Sequence, residues 1–165
     1  MCIRDSSGTV AGKKFGVAKK AHVKAVKVLR SNGSGSMSDV VKGVEYAAEA
    51  HLEQVDAAKK GKRKGFKGSS ANMSLGGGKS VTLDKAVNAA VDVGIHFAVA
   101  AGNDNANSCN YSPAAAEKAV TVGASNVCLH NSTSARSSAN DFCSWPMSVL
   151  TSPTSANATT SSPLA

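Results

Sequence analysis

Apolar residues recur at helical spacing in two stretches of the chain. Between Ser36 and Lys60, Val40, Val41, Val44, Ala47, Ala48, Leu52 and Val55 fall along one face, the pattern of an amphipathic helix. Ser36 and Asp39 resemble a capping box ahead of it, and Gly61 ends it. The second stretch carries Leu83, Ala86, Val87, Ala90 and Val91 on one face, with Thr82 as the expected cap and Gly94 as the stop. Four other segments read as strands: His22–Leu29, Asn72–Leu75, the run ending at Ala101, and Ala119–Gly123. Within the third, Phe97, Ala98, Val99, Ala100 and Ala101 show no polar alternation, which suits a parallel strand buried on both faces. Ser7–Ala18 is small and Gly-rich, a helix end followed by a turn, and Ser31–Ser36 (SNGSGS) is a loop. Strands alternating with helices give βαβ units, so the predicted class is α/β, a parallel sheet with helices on both faces.

The strand that ends at Ala101 runs into Gly102, where the backbone can turn sharply, and then into Asn103. In open α/β sheets the carboxyl edge of the strands is where ligands bind. An Asn placed there can aim its NH₂ donors at an oxygen whose charge grows during reaction. The competing reading is a turn Asn that bonds its own backbone.

Composition narrows the choice. The 165 residues suffice for one domain, 42% of them are apolar, and no apolar run is long enough to span a membrane. With only 4% aromatics, aliphatic residues and Ala must fill the core. The net charge of +8 is concentrated. Lys59–Lys67 (KKGKRKGFK) holds six basic residues, and Lys13, Lys14, Lys19, Lys20, Lys24 and Lys27 form a looser second group. The alternative function is therefore a non-enzymatic basic α/β module that binds nucleic acid or acidic surfaces. The plainer reading is a solvated basic loop after a helix. The four cysteines, Cys2, Cys109, Cys128 and Cys143, have no metal-ligand spacing. Gly76–Ser80 (GGGKS) imitates a phosphate-binding loop, but Met73 stands where that motif needs its first glycine. No cofactor and no metal is expected.

Four segments in order carry a family resemblance: SGTVAG (Ser7–Gly12), VKVLRSNGSGS (Val26–Ser36), NMSLGG (Asn72–Gly77) and AVAAGNDNANSCNYSPA (Ala98–Ala114). They closely resemble the subtilisin-like serine endopeptidases, in the proteinase K and cerevisin branch, and most of all the fungal vacuolar serine proteases. The resemblance runs from Ser7 to about Asn126. It implies a subtilisin-like α/β fold, incomplete here, acting on peptide or protein substrates as a monomer. It implies no nucleic acid, no membrane, and a vacuolar or secretory location. Residue by residue, it puts Asn103 at the oxyanion hole. Gly33, Ser34 and Gly35 match one backbone rim for an extended substrate, and Ser74, Leu75 and Gly76 match the other. Ala100, Ala101 and Gly102 match a wall of the primary specificity pocket.

The chain also departs from the family pattern. The family's catalytic His precedes the segment that Ser7–Thr9 matches, and Cys2 stands in its place. The strand bearing the catalytic Asp and the GTSMA segment bearing the nucleophile have no match. His22, His51, His96 and His130 do not fall at the family's His position. Ser-His-Asp acyl transfer needs all three groups within reach of one another, so the chain as written is expected to be inactive. Met1–Ser6 reads as an adapter or cloning scar, residues 7–126 as the partial peptidase domain, and residues 127–165 as a retained intron followed by a frameshifted exon, with no selected structure. In the shifted frame that this reading recovers, a cysteine would appear where Asn157 and Ala158 stand, and it is the expected partner of Cys109. Cys109 is therefore expected to have lost its disulfide here.

Overall fold

A computed structural model of the chain describes residues 3–124. The chain runs α1 (Ile3–Ala11), α2 (Met37–Lys59), β1 (Ser69–Met73), β2 (Gly77–Gly78), α3 (Val81–Asp92), β3 (Ile95–Ala100), a short 3₁₀ turn (Ser108–Asn110), β4 (Tyr111–Ser112) and β5 (Val120–Val122). β1, β3 and β5 form a parallel sheet in the order β1-β3-β5. Met73 faces Val99 across the first ladder, and Val99 faces Thr121 across the second. The α/β class with a parallel sheet and helices is the architecture found.

The helix α2 starts where its sequence says it should. Ser36 is extended and its side chain accepts from the Asp39 N–H at 3.1 Å, which satisfies one of the helix's unpaired amino-terminal donors. Gly61 follows the last turn at φ +70°, a conformation that favours glycine. Val40 and Val44 are buried and Val41 and Ala48 pack beside them, but Leu52 is 47% exposed. His51, one residue earlier, takes the inward position instead and binds Ser69 Oγ through Nδ1 at 2.9 Å. A polar side chain can be buried there because the strand offers it a partner. Beyond the helix, Arg63 bonds Gln54 and lies 5.7 Å over the Phe66 ring, which in turn sits 6.0 Å from the His51 ring. The basic loop is thus folded onto the end of α2.

In α3 the cap is Ser80, not Thr82. Ser80 is the last extended residue and its Oγ accepts from Leu83 N at 3.3 Å, so the helix opens at Val81. Leu83, Val87 and Ala90 then face Ile95, Phe97 and Val99 of β3, forming one cluster with Val40, Val44, Met73 and Ala116. Asp84 is buried beside them, with Oδ2 held 3.0 Å from Lys79 Nζ and Oδ1 without a partner.

Three other expectations need correction. β3 is buried on one face only: Ile95, Phe97 and Val99 are buried, His96 is exposed, and Ala98 and Ala100 are half-covered. Ladder partners in a parallel pair point to the same side, so α2 and α3 share the face of Met73 and Val99. The first strand begins at Ser69 and ends at Met73, so Ser74 and Leu75 lie beyond it. His22–Leu29 forms no strand, because no neighbouring backbone pairs with it among the described residues. It is held by side chains instead. Val28 packs on the core, and Gly43 of α2 leaves the room: a Cβ there would lie 2.3 Å from Val28 Cγ1 and 3.3 Å from Val26 Cγ1.

That contact yields a prediction. Gly43→Ala gains up to about 1 kcal/mol of helix propensity. It also drives a methyl into a short branched side chain that cannot swing away, and overpacking of that kind costs about 1–3 kcal/mol. A net loss of stability is expected in a complete protein carrying this segment, read as a lower Tm. An unchanged or higher Tm would show that residues 22–29 yield freely.

Candidate functional site

Parallel strands place their carboxyl ends on one edge, and two of the sequence-predicted groups meet there. Ser74, Leu75 and Gly76 continue from β1, and Ala100 ends β3 one residue past the Met73–Val99 pair, with Ala101 and Gly102 following it. Ala101 N–H donates to Val122 O at 3.0 Å, so the turn after β3 is tied to β5. Gly102 then adopts φ +109°, a backbone state that L side chains rarely reach. Asn103 follows it, exposed.

The asparagines of this turn divide the work. Asn107 does what a lone turn Asn is expected to do: its Oδ1 accepts from Cys109 N at 2.8 Å and starts the 3₁₀ turn. Asn105 adopts a left-handed conformation at φ +52°, which Asn tolerates better than most residues. The side chain of Asn103 makes no hydrogen bond among the described residues, so its donors are uncommitted. No local capping role holds it.

Next to Asn103, the Asp104 carboxylate raises the Tyr111 hydroxyl pKa above its ordinary 10.0. Repulsion of the phenolate by Asp104 is the main cause, followed by a hydrogen bond between the two side chains and then by burial. The sequence contained no signal for this pair. Tyr111 belongs to β4, which pairs antiparallel with β2: Gly77 faces Ser112 and Gly78 faces Tyr111.

This small ladder explains why the glycine run is not a phosphate cradle. Two of the three glycines pair with β4, the Ser80 N–H donates to Ser112 Oγ at 2.8 Å, and Lys79 is engaged with Asp84. Ser74 Oγ takes hydrogen bonds from Asn72 Nδ2 at 2.9 Å and Ser6 Oγ at 3.3 Å. Asn72 sits on the face opposite Met73 by strand alternation, so α1 reaches the sheet edge from that side.

The third predicted group stands apart. Gly33, Ser34 and Gly35 lie in an exposed turn in which Arg30 N donates to Ser34 O at 2.8 Å and Gly33 N donates to Arg30 O at 3.0 Å. Among the described residues no hydrogen bond joins this turn to Ser74–Gly76 or to Asn103.

The described histidines give no catalytic constellation. His51 and Ser69 form a His–Ser pair, but it is buried at the amino end of β1, the opposite end of the strand from the Asn103 edge. His96 is exposed near the same amino end, in register with Ser70, and His22 lies on the unpaired segment. His130 lies outside the described residues. No group of three or more metal-ligating side chains occurs among the described residues. No described helix is long and apolar enough to cross a membrane.

The model of the subtilase family matches residues 5–161. The chain belongs to the subtilase family. Among similar proteins, the subtilisin-like serine protease Cla h 9.0101 of Davidiella tassiana is 91% identical over 119 residues, which cover 72% of this chain and 23% of that protein. The subtilisin-like serine protease Pen c 2 of Penicillium citrinum is 82% identical over 119 residues, 72% of this chain and 26% of its own length. The chain thus spans about a quarter of the curated relatives it matches. A crystal structure of a cold adapted subtilisin-like serine proteinase superposes with TM-score 0.60 at 41% identity, covering 73% of this chain and 39% of that one. The family read from the four sequence segments is therefore the right one, and the parallel sheet is the subtilase sheet in part.

The sequence reading left Cys109 without a partner, but it is disulfide-bonded. The shifted-frame cysteine is not needed for that bond, because the chain has three other cysteines. The partner lies outside the described residues, as does the proposed boundary at residue 127.

Proposed function

We infer that this chain is a segment of a subtilisin-like serine endopeptidase that supplies the oxyanion donor and much of the substrate-binding surface. In the complete enzyme a Ser attacks the peptide carbonyl, a His takes its proton, and an Asp orients the His. Asn103 donates to the carbonyl oxygen as it becomes negative. Gly33, Ser34 and Gly35 on one side and Ser74, Leu75 and Gly76 on the other pair with the substrate backbone, while Ala100, Ala101 and Gly102 wall the primary specificity pocket. The observation that carries this reading is the uncommitted Asn103 amide at the carboxyl edge of the sheet, just past a glycine at φ +109°. Small residues along both rims support it, since they let a substrate backbone come close.

The triad residues come from outside this sequence, so the 165-residue chain alone hydrolyses no peptide. The intact enzyme works as a monomer in a vacuolar or secretory compartment, on peptides and proteins, without nucleic acid or cofactor. Residues 7–126 are its peptidase segment, with a scar before them and a retained intron plus frameshifted exon after them. An assay of the purified chain against a peptide substrate tests the inactivity. No turnover is expected, and hydrolysis that a serine-directed inhibitor abolishes would overturn the reading.

A further inference from the structure

The loop that carries Gly33–Gly35 also holds an asparagine that its function leaves unused. Asn32 precedes Gly33, and both are exposed. The Asn32 side chain is folded back over its own backbone: Oδ1 accepts from Ser34 N at 3.1 Å and from Ser34 Oγ at 2.8 Å. Such a side-chain turn closes a short ring that contains both Cγ and the peptide nitrogen of Gly33. Two hydrogen bonds to Oδ1 draw electrons from Cγ, making it a better electrophile. Gly33 has no Cβ to block the approach, and nothing lies within 4 Å of the place a Cβ would occupy. The one opposing feature is the bond from Gly33 N to Arg30 O at 3.0 Å, which must open before the nitrogen can attack. It lies in an exposed turn, where water replaces it at little cost.

We propose that Asn32–Gly33 is a site of spontaneous deamidation and isomerisation, built into the loop that forms one substrate rim. The Gly33 nitrogen loses its proton to water and attacks Asn32 Cγ. The new N–Cγ bond closes a five-membered imide, the Cγ–Nδ2 bond breaks, and ammonia leaves. One water then adds to either imide carbonyl and opens the ring, giving aspartate or isoaspartate at position 32. Each product adds one negative charge beside Arg30. Isoaspartate also adds a methylene to the main chain, shifting Gly33, Ser34 and Gly35 relative to the strand they were placed to pair. The chemistry depends only on the loop. The consequence for substrate rests on the rim assignment given under the proposed function.

The test follows the complete enzyme that carries this segment, held inactive by a serine-directed inhibitor, during incubation at neutral pH. Peptide mapping by mass spectrometry reads the small mass gain of amide-to-acid exchange at each asparagine, and isoaspartyl methyltransferase labelling reads the isomer. Position 32 is expected to convert first among Asn32, Asn72, Asn88, Asn103, Asn105, Asn107 and Asn110, and to label with the methyltransferase. Ser34→Ala, which removes one of the two bonds to Oδ1, should slow conversion, and Asn32→Gln should abolish it. The free 30–36 peptide gives the rate without tertiary structure. An intact Asn32 in the aged enzyme, or a Ser34→Ala enzyme that converts as fast as the parent, would overturn the proposal. Because the readout is mass and label, it stands whether or not the loop proves to be a substrate rim.

Discussion

Asn103→Ala in the complete enzyme is expected to lower kcat by about 10²–10³, roughly 3–4 kcal/mol, with KM nearly unchanged, a magnitude taken from subtilisin, a member of the same family, when it loses one oxyanion donor. The direction follows from where charge develops. A peptide carbonyl bound in the ground state is neutral and gains little from one more donor. In the tetrahedral intermediate the same oxygen carries the negative charge, and a fixed amide beside it then binds far more strongly. The side chain of Asn103 has no competing bond among the described residues, so no local hydrogen bond must break before it acts. Its backbone is fixed by Gly102 at φ +109° and by the Ala101–Val122 hydrogen bond. The rims should respond differently, because backbone pairing holds ground state and transition state alike. Bulky replacement of Gly33 or Gly35 should mainly raise KM. At Gly35 a Cβ would also lie 2.6 Å from Val28 O and 2.7 Å from Leu29 Cδ2, so that variant carries a folding cost too. Steady-state kinetics on the restored enzyme decides. A raised KM with intact kcat for Asn103→Ala would return Asn103 to the role of an ordinary turn residue.

The 165-residue chain by itself is expected to show no cooperative melt and poorly dispersed amide NMR signals. β1 is the edge of its sheet, and its outer row of backbone groups has no strand partner among the described residues. The family resemblance puts the strand bearing the catalytic Asp in that gap, between β1 and residues 22–29. Residues 22–29 pair with no strand among the described residues, and Val23 is 55% exposed. Phe15 and Val17 are 83% and 87% exposed, so apolar surface near the amino terminus also lacks cover. The half-covered outer face of β3 at Ala98 and Ala100 fits the same picture. Each large apolar side chain left in water forfeits about 1.5–3 kcal/mol of burial, and the whole stability of a domain is only about 5–15 kcal/mol. A handful of such side chains is enough to cancel it. The complete protein should instead show a single sharp transition. A cooperative melt and sharp, dispersed amides from the chain alone would show that the β1-β3-β5 core suffices.

Both amphipathic helices, the strand through Phe97, the carboxyl-edge position of Asn103 and the family itself were legible in the sequence. Those features depend on local chemistry. Helical spacing, a Ser ahead of an apolar run and a glycine after it act within a few residues, and AAGN marks its turn by composition alone. What the sequence misjudged depends on partners distant along the chain. Ser80 rather than Thr82 caps α3 because Ser112, 32 residues away, holds the Ser80 N–H. His51 rather than Leu52 turns inward because Ser69 offers it a hydrogen bond. His22–Leu29 has the composition of a strand, but a strand exists only when another backbone takes its hydrogen bonds, and none does among the described residues. Burial of β3 on one face was likewise decided by which side α2 and α3 cover. The freedom of Asn103 was a tertiary matter as well. Three asparagines stand within five residues, and only the folded turn gives the capping bond to Asn107, the left-handed position to Asn105, and leaves Asn103 with its donors unspent.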